Sequence, residues 1–395
     1  MPHYTYLIVG AGMTADAAIG GIREVDPNES VGLIGSDPHP PYNRPPLSKA
    51  LWKGKPLDSI WRSTDRRGAD LHLGRTVRAL DPAGRSVTDD RGTVYTWDRL
   101  LLATGGAPKR LTFGDDAIIY YRTLDDYTRL RELTERGRRF AVIGAGFIGS
   151  EIAAALAMNG RQPVMIFPGP GIGHHIFPPD LSQFLNGYYR ERGVDVRPGE
   201  TAAGLQPEEN GRAILLTRGG QRLAVDGVVA GIGIAPNTAL AEAAGLSVED
   251  GIVVNERLET TRAAVYAAGD VALFPAPALG RRIRVEHEDN ANTMGRAAGR
   301  AMAGAEEPYR HLPFFYSDLF DLGYEAVGDL DSRLETVSDW VEPFRQGVVY
   351  YLQHGRVRGV LLWNTWGQVD AARQLIAEPG PFRPADVRGR LPVKS

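Results

Sequence analysis

The chain has 395 residues, 43% of them hydrophobic, enough for two or three packed domains rather than one. Its net charge of −3 builds no basic field for nucleic acid or an anionic membrane, and no apolar run approaches the roughly 20 residues that span a bilayer. With no cysteine it lacks disulfides, thiolate nucleophiles, CxxC redox pairs and protein-ligated iron–sulfur clusters, so any redox chemistry must be carried by bound cofactors.

An apolar, strand-like run starts almost at once in MPHYTYLIVG, which leaves no room for a signal peptide or a basic presequence; a cytoplasmic, soluble protein is expected. Residues 6–20, YLIVGAGMTADAAIG, read as strand, glycine-rich turn and Ala-rich helix, followed by a second strand at residues 30–35. In the turn, Gly10 permits the sharp bend, Gly12 lets a pyrophosphate approach the backbone, and Ala15 keeps helix and strand close. An acid is expected about 20 residues on to hold the ribose hydroxyls, and Asp37 stands there. Next comes PYNRPPLSK, residues 41–49, a loop stiffened by three prolines that nevertheless carries two cations, Arg44 and Lys49.

Short β-like runs at residues 93–97 and 100–103 lead into Thr104, Gly105 and Pro108. Residues 140–156, FAVIGAGFIGSEIAAAL, repeat the first layout, with Gly144, Gly146 and Gly149 in the turn and a second strand at residues 163–167. No acid follows that strand; Phe167, Pro168 and Gly169 do, and the nearest cationic candidates are His174 and His175. The turn therefore predicts a nucleotide without choosing between NADH and NADPH. GVDV, AILLT and DGVVAGIG read as further strands, and residues 265–274 are strand-like around Gly269 and Asp270. Residues 291–304 read as a helix with one small-residue face, stopped by Gly304 and Pro308. The composition then turns aromatic and β-rich: residues 344–364 predict a hairpin turning at His354 and Gly355, and a last helix runs over 368–377.

Two nucleotide folds in one cysteine-free chain suggest electron transfer between two nucleotide cofactors, with FAD and NADH or NADPH the natural pair. The motifs GAGMTA, PYNRPPLSK, LLATGG, GAGFIGSE and YAAGD together resemble the FAD-dependent pyridine nucleotide oxidoreductases of the ferredoxin reductase type. The second half, in RRIRVEHEDNA, FFYSDLFDLGYEAVG and GVVYYLQHGRVRGVLLWN, is similar to the apoptosis-inducing factor family.

The resemblance implies an α/β chain with two Rossmann-like domains and a C-terminal α+β domain. The FAD domain would be split over 1–112 and 236–305, the NAD(P)H domain would cover 113–235, and 306–395 would form an interface domain suited to a nucleotide-dependent homodimer. It further implies that Arg44 and Lys49 lie against FAD, that Glu151 pairs with Lys49, and that Ala103, Thr104 and Gly105 close over the cofactor. Asp270 would serve the ribityl or pyrophosphate groups, Glu286, His287 and Tyr316 would line the flavin, and Phe147 would shield it until the nicotinamide arrives. Ile148 belongs to the second turn, and Gly233 would let NAD(P)H approach the backbone. The acids Glu286, Glu288 and Asp289 around His287 read as capping and solvation, so no metal is expected. Electrons would leave to a ferredoxin, a quinone or another small acceptor, with Arg281, Arg282 and Arg284 as candidates for a partner patch. The competing reading is a nicotinamide-sensing flavoprotein of little turnover.

Overall fold

Tyr4, Tyr6, Leu7, Ile8 and Val9 are bulky or β-branched and all buried, which makes His3–Val9 (β1) a central strand covered on both faces. In the computed structural model, which describes residues 1–208 and 211–392, the chain divides into two units. The first combines residues 1–43, 57–107 and 235–313; the second combines residues 44–56, residues 108–234 and the chain from Phe314 onward.

In the first unit β1 is followed by the helix Met13–Val25 (α1) and the strand Val31–Gly35 (β2). The main sheet runs in the order Asp70–Leu73, β2, β1, Val94–Leu102, Ser86–Asp89, Val77–Asp81, with Val265–Ala267 also paired to Val94–Leu102. Its centre is parallel, as a βαβ crossover requires, and its far edge is antiparallel. The two runs expected at 93–97 and 100–103 are one strand; exposed Asp98 and Arg99 interrupt the apolar pattern without breaking the ladder. The run at 265–274 is instead two strands, Val265–Ala267 and Ala272–Ala276, because the chain turns at Gly269–Val271.

The second unit holds the matching βαβ: Arg139–Ile143 (β3), Phe147–Met158 (α2) and Gln162–Phe167 (β4). Its parallel sheet has the order Asp195–Pro198, β4, β3, Gly227–Ala230, Ile118–Tyr120, around a core that includes Ile118, Ala141, Ile143, Val164, Ile166 and Val228. A separate five-stranded antiparallel sheet follows, ordered Phe314–Leu319, Leu322–Gly328, Arg356–Trp363, Gln346–Gln353, Glu335–Glu342. The expected hairpin is thus Gln346–Gln353 with Arg356–Trp363, and the helix expected over 368–377 is Val369–Ala377; it is not the last, since a short helix, Pro384–Val387, follows it where a proline supplies the first turn. No helix among the described residues is long and apolar enough to cross a membrane.

Back in the first unit, the helix Glu288–Met302 (α3) begins three residues earlier than its sequence pattern suggested, since Glu288 and Asp289 suit a helix N-terminus. Its small-residue face lies directly on α1: a Cβ added at Gly295 would sit 2.4 Å from Thr14 O, and one at Gly299 would sit 2.0 Å from Ala18 O.

The hairpin edge of the first unit's sheet carries a titratable lock. Asp89 accepts from Arg75 Nη1 at 2.7 Å, from the backbone N–H groups of Thr93 and Arg91 at 2.8 and 2.9 Å, and from Tyr95 Oη at 3.1 Å. Burial would raise its pKa, but the Arg75 guanidinium and the N–H and O–H donors outweigh it and hold the carboxyl at about 2. Because the folded value lies below the unfolded one, near 3.9, the stabilisation is present above pH 4 and is lost as pH falls toward 2. Thermal unfolding of the wild type and Asp89→Asn should therefore differ at pH 5 and converge as the pH approaches 2; a difference independent of pH would refute the lock.

Candidate functional site

The glycine-rich turn of the first unit is fixed by two bonds between strand ends, Gly10 N to Ile34 O at 2.7 Å and Ala103 N to Val9 O at 2.8 Å. Gly10 has φ +124°, and a Cβ there would lie 2.1 Å from the Ala103 carbonyl oxygen, so no other residue makes this bend without displacing the backbone. Gly12 caps α1 with no side-chain acceptor on the first N–H groups, and Ala15 is fully buried in the helix that follows. Beside the turn, Thr104 and Asn237 bond reciprocally: Thr104 Oγ1 donates to Asn237 O at 2.9 Å and Asn237 Nδ2 to Thr104 O at 2.8 Å. The N–H of Asn237 donates to Gly105 O at 2.9 Å.

Asp37 lies two residues past β2, where its carboxylate accepts from His39 N and from Tyr42 Oη, both at 3.0 Å. Asp270 sits in the turn Gly269–Val271, and its carbonyl accepts from Arg284 Nη1 at 3.2 Å. Glu286 bonds that same Arg284 at 2.5 Å, and His287 occupies the N-cap position of α3. The three arginines proposed as a partner patch are not equivalent. Arg281 and Arg282 are exposed, whereas Arg284 is mostly buried and paired to Glu286 and Asp250. Among the described residues no group of three or more His, Asp or Glu side chains could hold a metal ion.

In the second unit the proline loop is rigid for identifiable reasons. Pro45–Ser48 form a 3₁₀ turn after Arg44, with Leu47 N bonded to Arg44 O at 3.0 Å and Lys49 N to Pro46 O at 3.2 Å. The Leu47 carbonyl then accepts from Trp52 Nε1 at 2.8 Å and from Tyr121 Oη at 2.5 Å. This delivers Lys49 Nζ to 2.6 Å from Glu151 Oε1, with the two side chains only 13% and 3% exposed. Glu151 is the fifth residue of α2, and two serines complete its coordination: Ser48 Oγ donates to Oε2 at 2.5 Å and Ser317 Oγ to Oε1 at 2.6 Å.

Tyr316 offers its ring to Lys49, whose Nζ lies 5.2 Å from the centroid. Burial first, and the Glu151 charge second, push the Tyr189 and Tyr324 phenols well above their ordinary pKa, so both stay protonated around this carboxylate. The Phe147 ring, at the first position of α2, meets Phe315 edge-on at 5.2 Å.

The second glycine turn mirrors the first. Gly144 has φ +104° and would place a Cβ 2.4 Å from Gly231 O, while one at Gly149 would lie 2.1 Å from Gly144 O. Gly146 caps α2 without a side-chain bond; Ile148 is half-buried behind it. Gly233 accepts from Lys109 N at 2.9 Å.

These cradles fit a dinucleotide pyrophosphate on an observation internal to each: a Cβ at Gly12 or at Gly146 would meet nothing within 4 Å. Open space thus faces a helix N-terminus whose first N–H groups receive no side-chain cap, and a bound diphosphate would satisfy them. Lys49, Glu151, Tyr316 and Phe147 come together within the second unit; Gly10, Gly12, Ala103, Thr104 and Gly105 gather at strand ends of the first. Sequence reasoning missed Ser48 and Ser317. Ser48 was visible beside Lys49, but Ser317 lies 166 residues from Glu151 and carries no local signal.

Comparison with known proteins gives a consistent result. Residues 4–295 match the family described as pyridine nucleotide-disulphide oxidoreductase, and residues 298–343 and 340–378 match the C-terminal region of mitochondrion-associated apoptosis-inducing factor. Apoptosis-inducing factor 1 of Dictyostelium discoideum is 34% identical over 94% of this chain and 78% of that protein. Putidaredoxin reductase CamA of Pseudomonas putida is 31% identical over 96% of this chain and 93% of that protein. Among solved structures, the reductase of the covalent putidaredoxin reductase–putidaredoxin complex is 30% identical, covers 98% of this chain and 95% of its own, and superposes with a TM-score of 0.89.

Proposed function

This chain belongs to the pyridine nucleotide-disulphide oxidoreductase family as an FAD- and NAD(P)H-dependent oxidoreductase of the ferredoxin reductase type, and from that premise we propose that it passes electrons from NAD(P)H to a ferredoxin-type acceptor. Bound FAD would supply the redox chemistry, since it takes a hydride from a nicotinamide and can release electrons one at a time. The observation that carries the reading is the buried, fixed ammonium of Lys49 on its proline loop, held by a carboxylate that is itself held by two serines.

In this reading residues 1–112 and 236–305 hold FAD, 113–235 hold the nicotinamide dinucleotide, and 306–395 form the interface domain. Gly10, Gly12 and Ala15 seat the FAD pyrophosphate. Asp37 takes the ribose, while Ala103, Thr104, Gly105 and Asp270 close the site. Lys49 stabilises the negative charge that develops on reduction, a positioned-charge effect that needs no proton transfer. Glu151, 2.6 Å from the Lys49 ammonium, holds that side chain in one place. Glu286 and His287 line the ring, while Tyr316 offers its face to the Lys49 ammonium. Gly144, Gly146, Ile148, Gly149 and Gly233 bind the second dinucleotide, and the Phe147 ring keeps water out until the nicotinamide arrives.

The cysteine-free sequence takes thiol–disulfide exchange out of the mechanism, which leaves the electrons to an external acceptor. Anaerobic titration of the purified protein with NADH and NADPH, followed by addition of a ferredoxin, tests the proposal. Bleaching of the visible flavin bands and their rapid return with the ferredoxin are expected. Slow reduction into a long-wavelength absorption that resists oxygen and acceptors would overturn it in favour of a nicotinamide sensor.

A further inference from the structure

In a dinucleotide fold, the side chain just past the second strand meets the adenosine ribose. A carboxylate there holds the 2′-hydroxyl and repels a 2′-phosphate, and a cation does the opposite. After β4 that place falls to Gly169. A Cβ on Gly169 would lie 2.1 Å from Cε1 and 2.3 Å from Nδ1 of His174. The imidazole of His174 therefore fills the volume an acidic side chain would need.

The loop that carries it is braced. Gly173 N donates to Ala145 O, in the glycine turn itself, at 3.0 Å, and Gly199 N donates to Gly169 O at 3.0 Å. From the following helix, Asn186 Nδ2 and Gln183 Nε2 donate to Pro170 O at 3.0 and 2.9 Å, and Ser182 Oγ donates to Ile172 O at 2.8 Å. His175 lies against His174 with ring centroids 3.7 Å apart and planes tilted by 41°, so the exposed ring supports the half-buried one.

We propose that the His174–His175 pair reads the ribose 2′ position of the nicotinamide dinucleotide and selects its 2′-phosphorylated form, NADPH over NADH. This rests on the reading of the second fold as the nicotinamide site. Arg197, on the strand beside β4, is committed elsewhere: it bonds Asp195 at 2.8 Å and also Gln221. The charged groups around the pair are His175 for His174 and, for His175, Asp331, which Arg333 clamps at 2.5 Å.

The selection is tied to pH. Burial, and then the neighbouring His175, hold His174 below the ordinary imidazole pKa, so it is neutral at pH 7 until a phosphate dianion draws a proton onto it. Binding of a 2′-phosphate takes up that proton. Its affinity consequently rises as pH falls, by up to about tenfold per pH unit, while an unphosphorylated ribose is indifferent.

Calorimetric titration of the FAD-loaded protein with NADP⁺ and NAD⁺ at pH 6.5, 7.5 and 8.5 decides the matter. At pH 6.5 NADP⁺ should bind at least about tenfold more tightly, with the ratio shrinking toward pH 8.5. His174→Ala should lose about tenfold in NADP⁺ affinity at pH 6.5, together with the pH slope, and keep its NAD⁺ affinity, which also reports a folded site. Gly169→Glu combined with His174→Ala should reverse the preference. A wild type that binds NAD⁺ as tightly at pH 6.5, a ratio without pH dependence, or an unchanged His174→Ala would each overturn the proposal. If neither dinucleotide binds the wild type, the reading of the second fold falls first and the selection with it.

Discussion

Replacing Lys49 with methionine is expected to slow reduction by NAD(P)H by about 10²–10³-fold, the loss typical when one preorganised charge or donor is removed from a water-poor site. The size follows from the burial of the ammonium, 13% exposed and 2.6 Å from a carboxylate that is 3% exposed. In such surroundings the charge is weakly screened and needs no reorganisation as the reaction proceeds. Methionine keeps the unbranched stem, so the neighbouring Tyr316 ring loses its cation without leaving a hole. Glu151 would keep its two serine donors. Anaerobic stopped-flow absorbance is the measurement, with dinucleotide dissociation constants taken alongside. A slowed rate at unchanged affinity supports electrostatic action; a rate within a factor of about two of wild type removes Lys49 from the chemistry. Lys49→Arg should recover only part of the rate, because a planar fork cannot reproduce a point charge.

The second large effect concerns stability. Asp16→Ala should destabilise the protein by about 3–5 kcal/mol, the range for removing one partner of a buried ion pair. The Asp16 side chain is fully buried, 2.7 Å from Arg62 Nε and 3.4 Å from Arg67 Nε, and it accepts from Thr64 Oγ1 at 2.7 Å. Arg62 also reaches Asn43 Oδ1 at 2.6 Å and Asn292 Oδ1 at 2.9 Å, so losing the carboxylate strands a guanidinium that is itself largely enclosed. Urea unfolding at fixed FAD saturation would read the loss. The exposed pair Lys53–Asp318, 45% and 36% accessible, is the control, and its removal should cost less than about 1 kcal/mol. Equal effects at the two places would mean that burial of Asp16 contributes nothing.

Much of this was legible in the sequence where local pattern and local chemistry coincide. The strand, glycine turn and Ala-rich helix at Gly10 and again at Gly144 signal themselves because one short segment must satisfy sterics, helix packing and phosphate approach together. The hairpin at His354–Gly355 shows as two apolar runs around a turn. What escaped was non-local. Asp16 reads as a polar residue early in an amphipathic helix, and nothing near it announces that Arg62, Thr64 and Arg67 arrive to enclose it. Ser317 likewise meets Glu151 only because a sheet strand from far along the chain passes there. The strand break at Gly269 also depended on tertiary structure, since a Cβ there would lie 2.3 Å from Thr14 Oγ1.

The interleaving of the two units along the chain has a consequence for how the protein is made. When a ribosome has released residues 1–264, the first unit still lacks Val265–Ala267 from its main sheet and the whole of Glu288–Met302. The second unit still lacks every strand from Phe314 onward, and with them the Ser317 hydroxyl that Glu151 needs. Neither unit can close while its sequence is emerging, so an incomplete chain leaves the tunnel with apolar strands uncovered and a carboxylate short of a donor. Biogenesis then depends on the last third of the message, and a premature stop between residues 264 and 313 leaves both units incomplete at once.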